Sequence, residues 1–282
     1  MAILLIFLLL EVLNVTTFNR MRAHDQYRSA TLTVLKEDPR SNVVNYLIGG
    51  MLNQSETTFH AYQNDFEGTV IAVNFKRTGW DPQLMAEVIL RDIDWRHSEV
   101  RIWAVSVGDQ VARWVEKSLT PGAAKTVAIN PCTTPQCLQK QYHGYEWLAR
   151  LIRDGVCEHF LGWASLLPII PMAGTDTRAP NRHWKYSPML LADQLVAITN
   201  GRQPGAIANG EQPDESFWAD FIVLSSRDQF LDSAAVKEVY ERVPEERIIV
   251  IDADHAGTAV YETQYHEAIR EATTCLTTGP DT

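Results

Sequence analysis

A serine, an aspartate and a histidine each follow an apolar run in this chain, and that pattern points to nucleophilic chemistry. Residues 102–110 read Ile-Trp-Ala-Val-Ser-Val-Gly-Asp-Gln. The run Val100–Val105, interrupted only by Arg101, leads into Ser106, and a helical stretch from Gln110 to Lys117 follows at once. Ala104 and Gly108 flank the serine two positions away on either side. A strand–turn–helix of this kind holds its serine in a strained conformation that only small neighbours tolerate. It raises the hydroxyl toward a substrate and leaves the next backbone N–H, that of Val107, facing a forming oxyanion. The plainer alternative for Ser106 is a helix N-cap at a strand–helix junction.

The partners that a serine nucleophile needs have candidates downstream. Phe221-Ile-Val-Leu-Ser-Ser226 reads as a buried strand and is followed by Arg227 and Asp228. Arg247–Ile251 is a second apolar run, ending in Asp252-Ala-Asp-His-Ala-Gly257. His255 alone among the eight histidines follows a late apolar strand. An imidazole there could accept the Ser106 proton and return it to the leaving group. Asp228 is the expected orienting acid. Asp232, Asp252 and Asp254 compete for that role. The last two sit too near His255 in the same loop to reach its inner ring nitrogen, and Asp232 reads as the N-cap of the next helix.

The order Ser106, Asp228, His255, each just beyond a strand, resembles that of the α/β-hydrolase superfamily, over roughly Asn42 to the C-terminus. The resemblance implies a mostly parallel central sheet with helices on both faces and a helical cap insertion. It also implies a second oxyanion donor in the loop after the strand Asn42–Ile48. That loop reads Gly49-Gly50-Met51, with Gly49 where the family often carries histidine. Gly50 would let the backbone bend toward substrate, and the Met51 N–H would pair with that of Val107.

The elements that must position these groups follow from periodicity. Strands are expected at Ala30–Leu35, Asn42–Ile48, Thr69–Val73, Val100–Val105 and Thr126–Ile129, then at the two downstream runs. Helical patterns occupy Phe59–Phe66, Pro82 to about Asp92, Gln110–Lys117 and Ser233–Arg242. Short apolar strands alternating with helices imply βαβ units and a sheet buried on both faces. Residues 1–20 form an apolar N-terminal segment and 30–282 one hydrolase-like domain. The stretch of about 131–217, rich in Trp, Tyr, His and Pro, takes the place of the cap. Trp147, Trp163 and Trp184 could line an apolar substrate pocket there, or simply form the cap's own small core.

A net charge of −10, with no basic cluster, argues against nucleic acid as a partner. No Cys/His spacing resembles a zinc site, and no metal or organic cofactor is implied. Cys132 and Cys137, either side of Pro135, could bridge in an oxidising compartment or stand as two free thiols. The apolar run near the N-terminus is about 13 residues, short of the roughly 20 that span a bilayer. It lacks the basic n-region and cleavage site of a secretory signal. The expectation is a cytoplasmic protein or one associated with a membrane through residues 1–13. The chemistry expected is acyl transfer from an apolar small-molecule ester through an acyl-enzyme. Thioesterase, amidase and acyltransferase activities would use the same residues. A binding protein that has lost activity is the contrasting reading, to which Gly49 and Asp109 lend weight.

Overall fold

Seven short, largely apolar strands build the sheet that carries the candidate residues. The computed structural model describes residues 5–6, 28–50, 54–76, 80–94, 98–120, 122–132, 134–140, 194, 198, 219–255 and 262–278. The strands are β1 (Ala30–Lys36), β2 (Val43–Ile48), β3 (Thr69–Phe75), β4 (Glu99–Val105), β5 (Ala124–Ile129), β6 (Phe221–Ser225) and β7 (Ile248–Ile251). They lie in the order β1-β3-β2-β4-β5-β6-β7. β1 is an antiparallel edge, and every other pairing is parallel.

β4 lies between β2 and β5, with Ala104 opposite Ile48 on one side and Ala128 on the other. Successive side chains of a strand point to opposite faces, and here both faces are apolar. Tyr46, Ile48, Ile102, Ala104 and Ala128 join one core, while Leu47, Trp103, Val127 and Ile129 join the other. The largely apolar runs therefore follow from burial on both sides.

Helices cover each face. α1 (Ser55–Phe59) is short, and α2 (Pro82–Asp92) opens with Pro82 behind the Asp81 cap, whose carboxylate accepts from the Leu84 N–H at 3.2 Å. α3 (Asp109–Lys117) and α4 (Ser233–Val239) follow, and α5 (Glu262–Thr278) ends the described chain. Met85, Ile89, Val111, Val115 and Val236 bring α2, α3 and α4 to the first core. Phe59 of α1 and the stripe Tyr265, Ala268, Ile269, Ala272 and Leu276 of α5 close the second.

Two elements depart from the sequence expectation. The helix expected over Phe59–Phe66 is α1 followed by a single 3-10 turn, His60–Tyr62. Phe59, Tyr62 and Phe66 keep helical spacing because all three enter one core, but the chain turns between Tyr62 and Gly68. There Asp65 pairs with Arg270 at 2.6 Å and with His266, both on α5. α5 itself was not anticipated, because Ala and Thr dilute its buried stripe. Most of the expected cap, 141–193 and 199–218, lies outside the described residues. Its first part runs along the Asp228 loop: the Gln139 N–H donates to the Phe230 carbonyl and the Asp232 N–H to that of Cys137, both at 2.8 Å.

The membrane-associated placement expected of residues 1–13 is corrected here. Among the described residues no helix is long and apolar enough to cross a membrane. Of that stretch only Leu5 and Ile6 are described. A run of about 13 residues falls well short of the roughly 20 needed to span a bilayer.

Glu116 on α3 is a carboxyl that packing places against the sheet. Burial pushes it from 4.5 up to about 7, against a contact from the Thr126 hydroxyl and with the charge of Asp109 adding to the rise. A folded value above the unfolded one means a contribution fully present below about 4.5 and lost as pH rises through about 7. Glu116→Gln should therefore gain stability over the parent by on the order of 1–3 kcal/mol between about pH 5 and about pH 8. Urea unfolding at both pH values measures this. Parallel pH dependences would contradict it.

Candidate active site

The turn after β4 is where the backbone is most constrained. Val105 is extended, with φ −105°, and Ser106 then takes φ +53°, in the left-handed region that a side chain rarely occupies. Such a conformation costs roughly 1–3 kcal/mol and persists only where its surroundings over-determine it. The surroundings here are the end of β2. A Cβ on Gly108 would lie 2.6 Å from the Gly49 carbonyl oxygen, and one on Gly50 would lie 3.1 Å from the Ser106 Cβ. Two backbones meet with no room for a methyl group. The Ser106 carbonyl also accepts from the Cys132 N–H at 3.2 Å, which ties the turn to the chain beyond β5.

The hydroxyl so presented meets His255. Ser106 Oγ lies 3.1 Å from His255 Nε2, and His255 Nδ1 lies 2.6 Å from Asp228 Oδ2. The second Asp228 oxygen accepts from the Phe230 and Leu231 N–H groups, each at 2.8 Å. A carboxylate so bound accepts the Nδ1 proton, which leaves the Nε2 lone pair facing Ser106. Gln139 Nε2 donates to the Asp228 carbonyl at 2.5 Å, and the Phe230 ring stands edge-on to the imidazole at 5.4 Å. Two of the three competing carboxylates are engaged elsewhere. Asp232 caps α4 through the Ala234 and Ala235 N–H groups, and Asp252 is clamped by Arg227. Of Asp254, the carbonyl accepts from the Tyr265 hydroxyl.

The oxyanion side is partly drawn. Val107 is buried directly after Ser106 in the first turn of a 3-10 helix, where N–H groups have no intrahelical acceptor. Gly50 lies against Ser106. The Gly49 N–H is already committed to Ser55 Oγ at 2.7 Å, and that hydroxyl donates to the Val73 carbonyl at 2.5 Å. Gly49 is thus held in place and cannot itself donate to an oxyanion. Met51, Trp147, Trp163 and Trp184 lie outside the described residues.

Sequence reasoning passed over several residues that surround this group. Ser55, Gln139 and Phe230 carry no motif. Asn130, directly after β5 and before Pro131, carries only the turn signal of an Asn-Pro pair. Asp109 turns inward: its Oδ2 accepts from Arg113 Nε at 2.7 Å and from the Tyr240 hydroxyl at 2.6 Å. Cys132 and Cys137 are buried as free thiols, and burial pushes both above the ordinary thiol value. Among the described residues no group of three or more His, Cys, Asp or Glu side chains could hold a metal ion.

Strand order, the strained turn and the position of the histidine beyond the last strand define an α/β-hydrolase fold. A hydrolase from Oleispira antarctica aligns with 89% of this chain and 97% of its own, at a TM-score of 0.60 and 13% identity. The enol-lactonase from Burkholderia xenovorans covers 87% and 96%, at 0.59 and 12%. A thermophilic esterase from Thermogutta terrifontis covers 86% and 92%, at 0.55 and 13%. No protein-family model and no curated protein matches the chain.

The contact between Gly108 and β2 carries a test. Gly108→Ala must push its new methyl into the Gly49 and Ile48 carbonyls. It should lower stability by roughly 1–3 kcal/mol, read as a lower urea midpoint at constant m. An unchanged midpoint would show that the elbow has slack.

Proposed function

We propose that the protein is a serine hydrolase of carboxylic esters or related acyl compounds, with Ser106 as nucleophile, His255 as general base and Asp228 as its orienting acid. The observation that carries this is the continuous chain from Ser106 Oγ through both His255 nitrogens to Asp228, beginning at a serine held at φ +53°. Ser106 Oγ attacks the acyl carbonyl while Nε2 takes its proton, and the Val107 N–H, with that of Met51, receives the charge on oxygen. The imidazolium returns the proton to the leaving alcohol. Water, deprotonated in turn by His255, then releases the acid and restores Ser106.

Related folds in proteins named as an esterase and an enol-lactonase agree with this chemistry. In the same reading about 131–217 forms a cap, and Trp147, Trp163 and Trp184 offer an apolar surface to the acyl group. Asp109 gives little support to an inactive binding protein, because its carboxylate is turned away and satisfied by Arg113 and Tyr240.

Ser106→Ala should cut hydrolysis of short p-nitrophenyl esters by at least about 10³-fold and abolish labelling by a fluorophosphonate. Circular dichroism should be unchanged. Turnover within about tenfold of the parent would remove Ser106 from the nucleophile role. Asp228→Asn should cost on the order of 10⁴-fold in kcat, by leaving the imidazole in the wrong tautomer.

A further inference from the structure

Close to the His255 backbone, three polar side chains are buried together where β5, β6 and α5 converge. Asn130 is 1% exposed, Ser225 0% and Tyr265 5%. Asn130 ends β5 with φ +45°, a left-handed conformation that asparagine adopts more readily than most residues. Its Oδ1 accepts from the Ser225 N–H at 2.8 Å, and its Nδ2 donates to Ser225 Oγ and to the Tyr265 hydroxyl, both at 2.9 Å. The Tyr265 hydroxyl donates to the Asp254 carbonyl at 2.8 Å, so the 2.7 Å contact with Ser225 Oγ has the serine as donor. The His255 carbonyl lies 3.4 Å from Asn130 Nδ2, whose two hydrogens are already donated to Ser225 and Tyr265. Donors and acceptors close on one another, and burial pushes the Tyr265 phenol well above its ordinary value, which keeps it a donor.

We propose that Asn130 and Tyr265 are positioning residues: a buried clasp on the carbonyl of Asp254, the residue before His255, that sets the imidazole against Ser106. This rests on the serine-hydrolase reading and deepens it. Three polar side chains in an otherwise apolar layer are costly unless mutually satisfied. What they reach beyond themselves is the backbone that carries the base. On its ring side His255 is held at Nδ1 by Asp228, with the Phe230 ring edge-on, so a loop free to move would take Nε2 away from the 3.1 Å contact with Oγ. Misplacement by about 1 Å can cost on the order of 10²-fold in rate.

The test uses Tyr265→Phe, which removes one hydroxyl, and Asn130→Gly, which removes the amide at a position where glycine adopts φ +45° without strain. Both should lower kcat for p-nitrophenyl esters by roughly 10–100-fold with KM within about twofold. Both should slow fluorophosphonate labelling of Ser106 in the same proportion. ¹⁵N imidazole shifts should show His255 losing its single Nδ1–H tautomer. A folded Tyr265→Phe protein that labels at the parental rate with parental ¹⁵N shifts would overturn the clasp. If that variant does not fold, Asn130→Gly carries the same comparison, and parental values there overturn the proposal equally. Failure of the parent itself to label would remove the hydrolase reading, while the ¹⁵N comparison would still decide the clasp.

Discussion

The end of β2 runs so close to the turn after β4 that a methyl group on Gly108 would stand 2.6 Å from the Gly49 carbonyl oxygen. The site depends on this approach. It confines Ser106 to φ +53° and puts Gly50 beside the Ser106 Cβ. It also brings Gly49 and Gly50, where the oxyanion loop is expected, to Ser106. Ser55 stabilises the approach from the far side by bridging the Gly49 N–H to the Val73 carbonyl. The strain at one residue is thus held by a sheet whose central strand is paired on both edges and buried on both faces.

The other site groups stand on the same edge of that sheet. Parallel strands point their C-terminal ends one way, so the residues that follow β4, β6 and β7 converge although they are distant in the chain. Each is then fixed by a different device. Asp228 is held by two backbone N–H groups and by Gln139 through its carbonyl. His255 is held by Asp228, and the carbonyl of the preceding Asp254 by Tyr265. The elbow helix is tied by Asp109, whose buried carboxylate joins Arg113 to the Tyr240 hydroxyl beyond α4. In this cluster the buried polar groups answer one another, as burial in a low dielectric demands.

At the opposite edge the interior charge has another character. Arg101 is fully buried within β4, yet it reaches Glu99, Glu67 and Thr277. This explains how a charged residue interrupts an otherwise apolar strand. The guanidinium leaves the apolar layer for the N-terminal rim, where it joins β4 to the end of α5.

Much of the frame was legible because its signals are local. Short, largely apolar runs marked the strands, since a sheet covered on both faces needs apolar side chains in both directions. Ala104 and Gly108 around Ser106 marked the turn, and apolar strands before Asp228 and His255 marked their places. Features that depend on partners far along the chain were not legible. The helix expected over Phe59–Phe66 gave way to a turn because Asp65 is drawn to Arg270 and His266 of α5.

By itself the sequence determined the strands, their alternation with helices, and which residues stand at strand ends, because hydrophobic periodicity and backbone sterics act over a few positions. Tertiary structure alone set the distances at which the expected carboxylate meets the imidazole. Asp232, Asp252 and Asp254 carry the same carboxyl group, but it is Asp228 that the β6–β7 pairing brings to His255 Nδ1. It likewise brought Asn130 to Tyr265 across 135 positions. Contacts of that range are set by strand register and helix docking, and no local pattern in the chain encodes them.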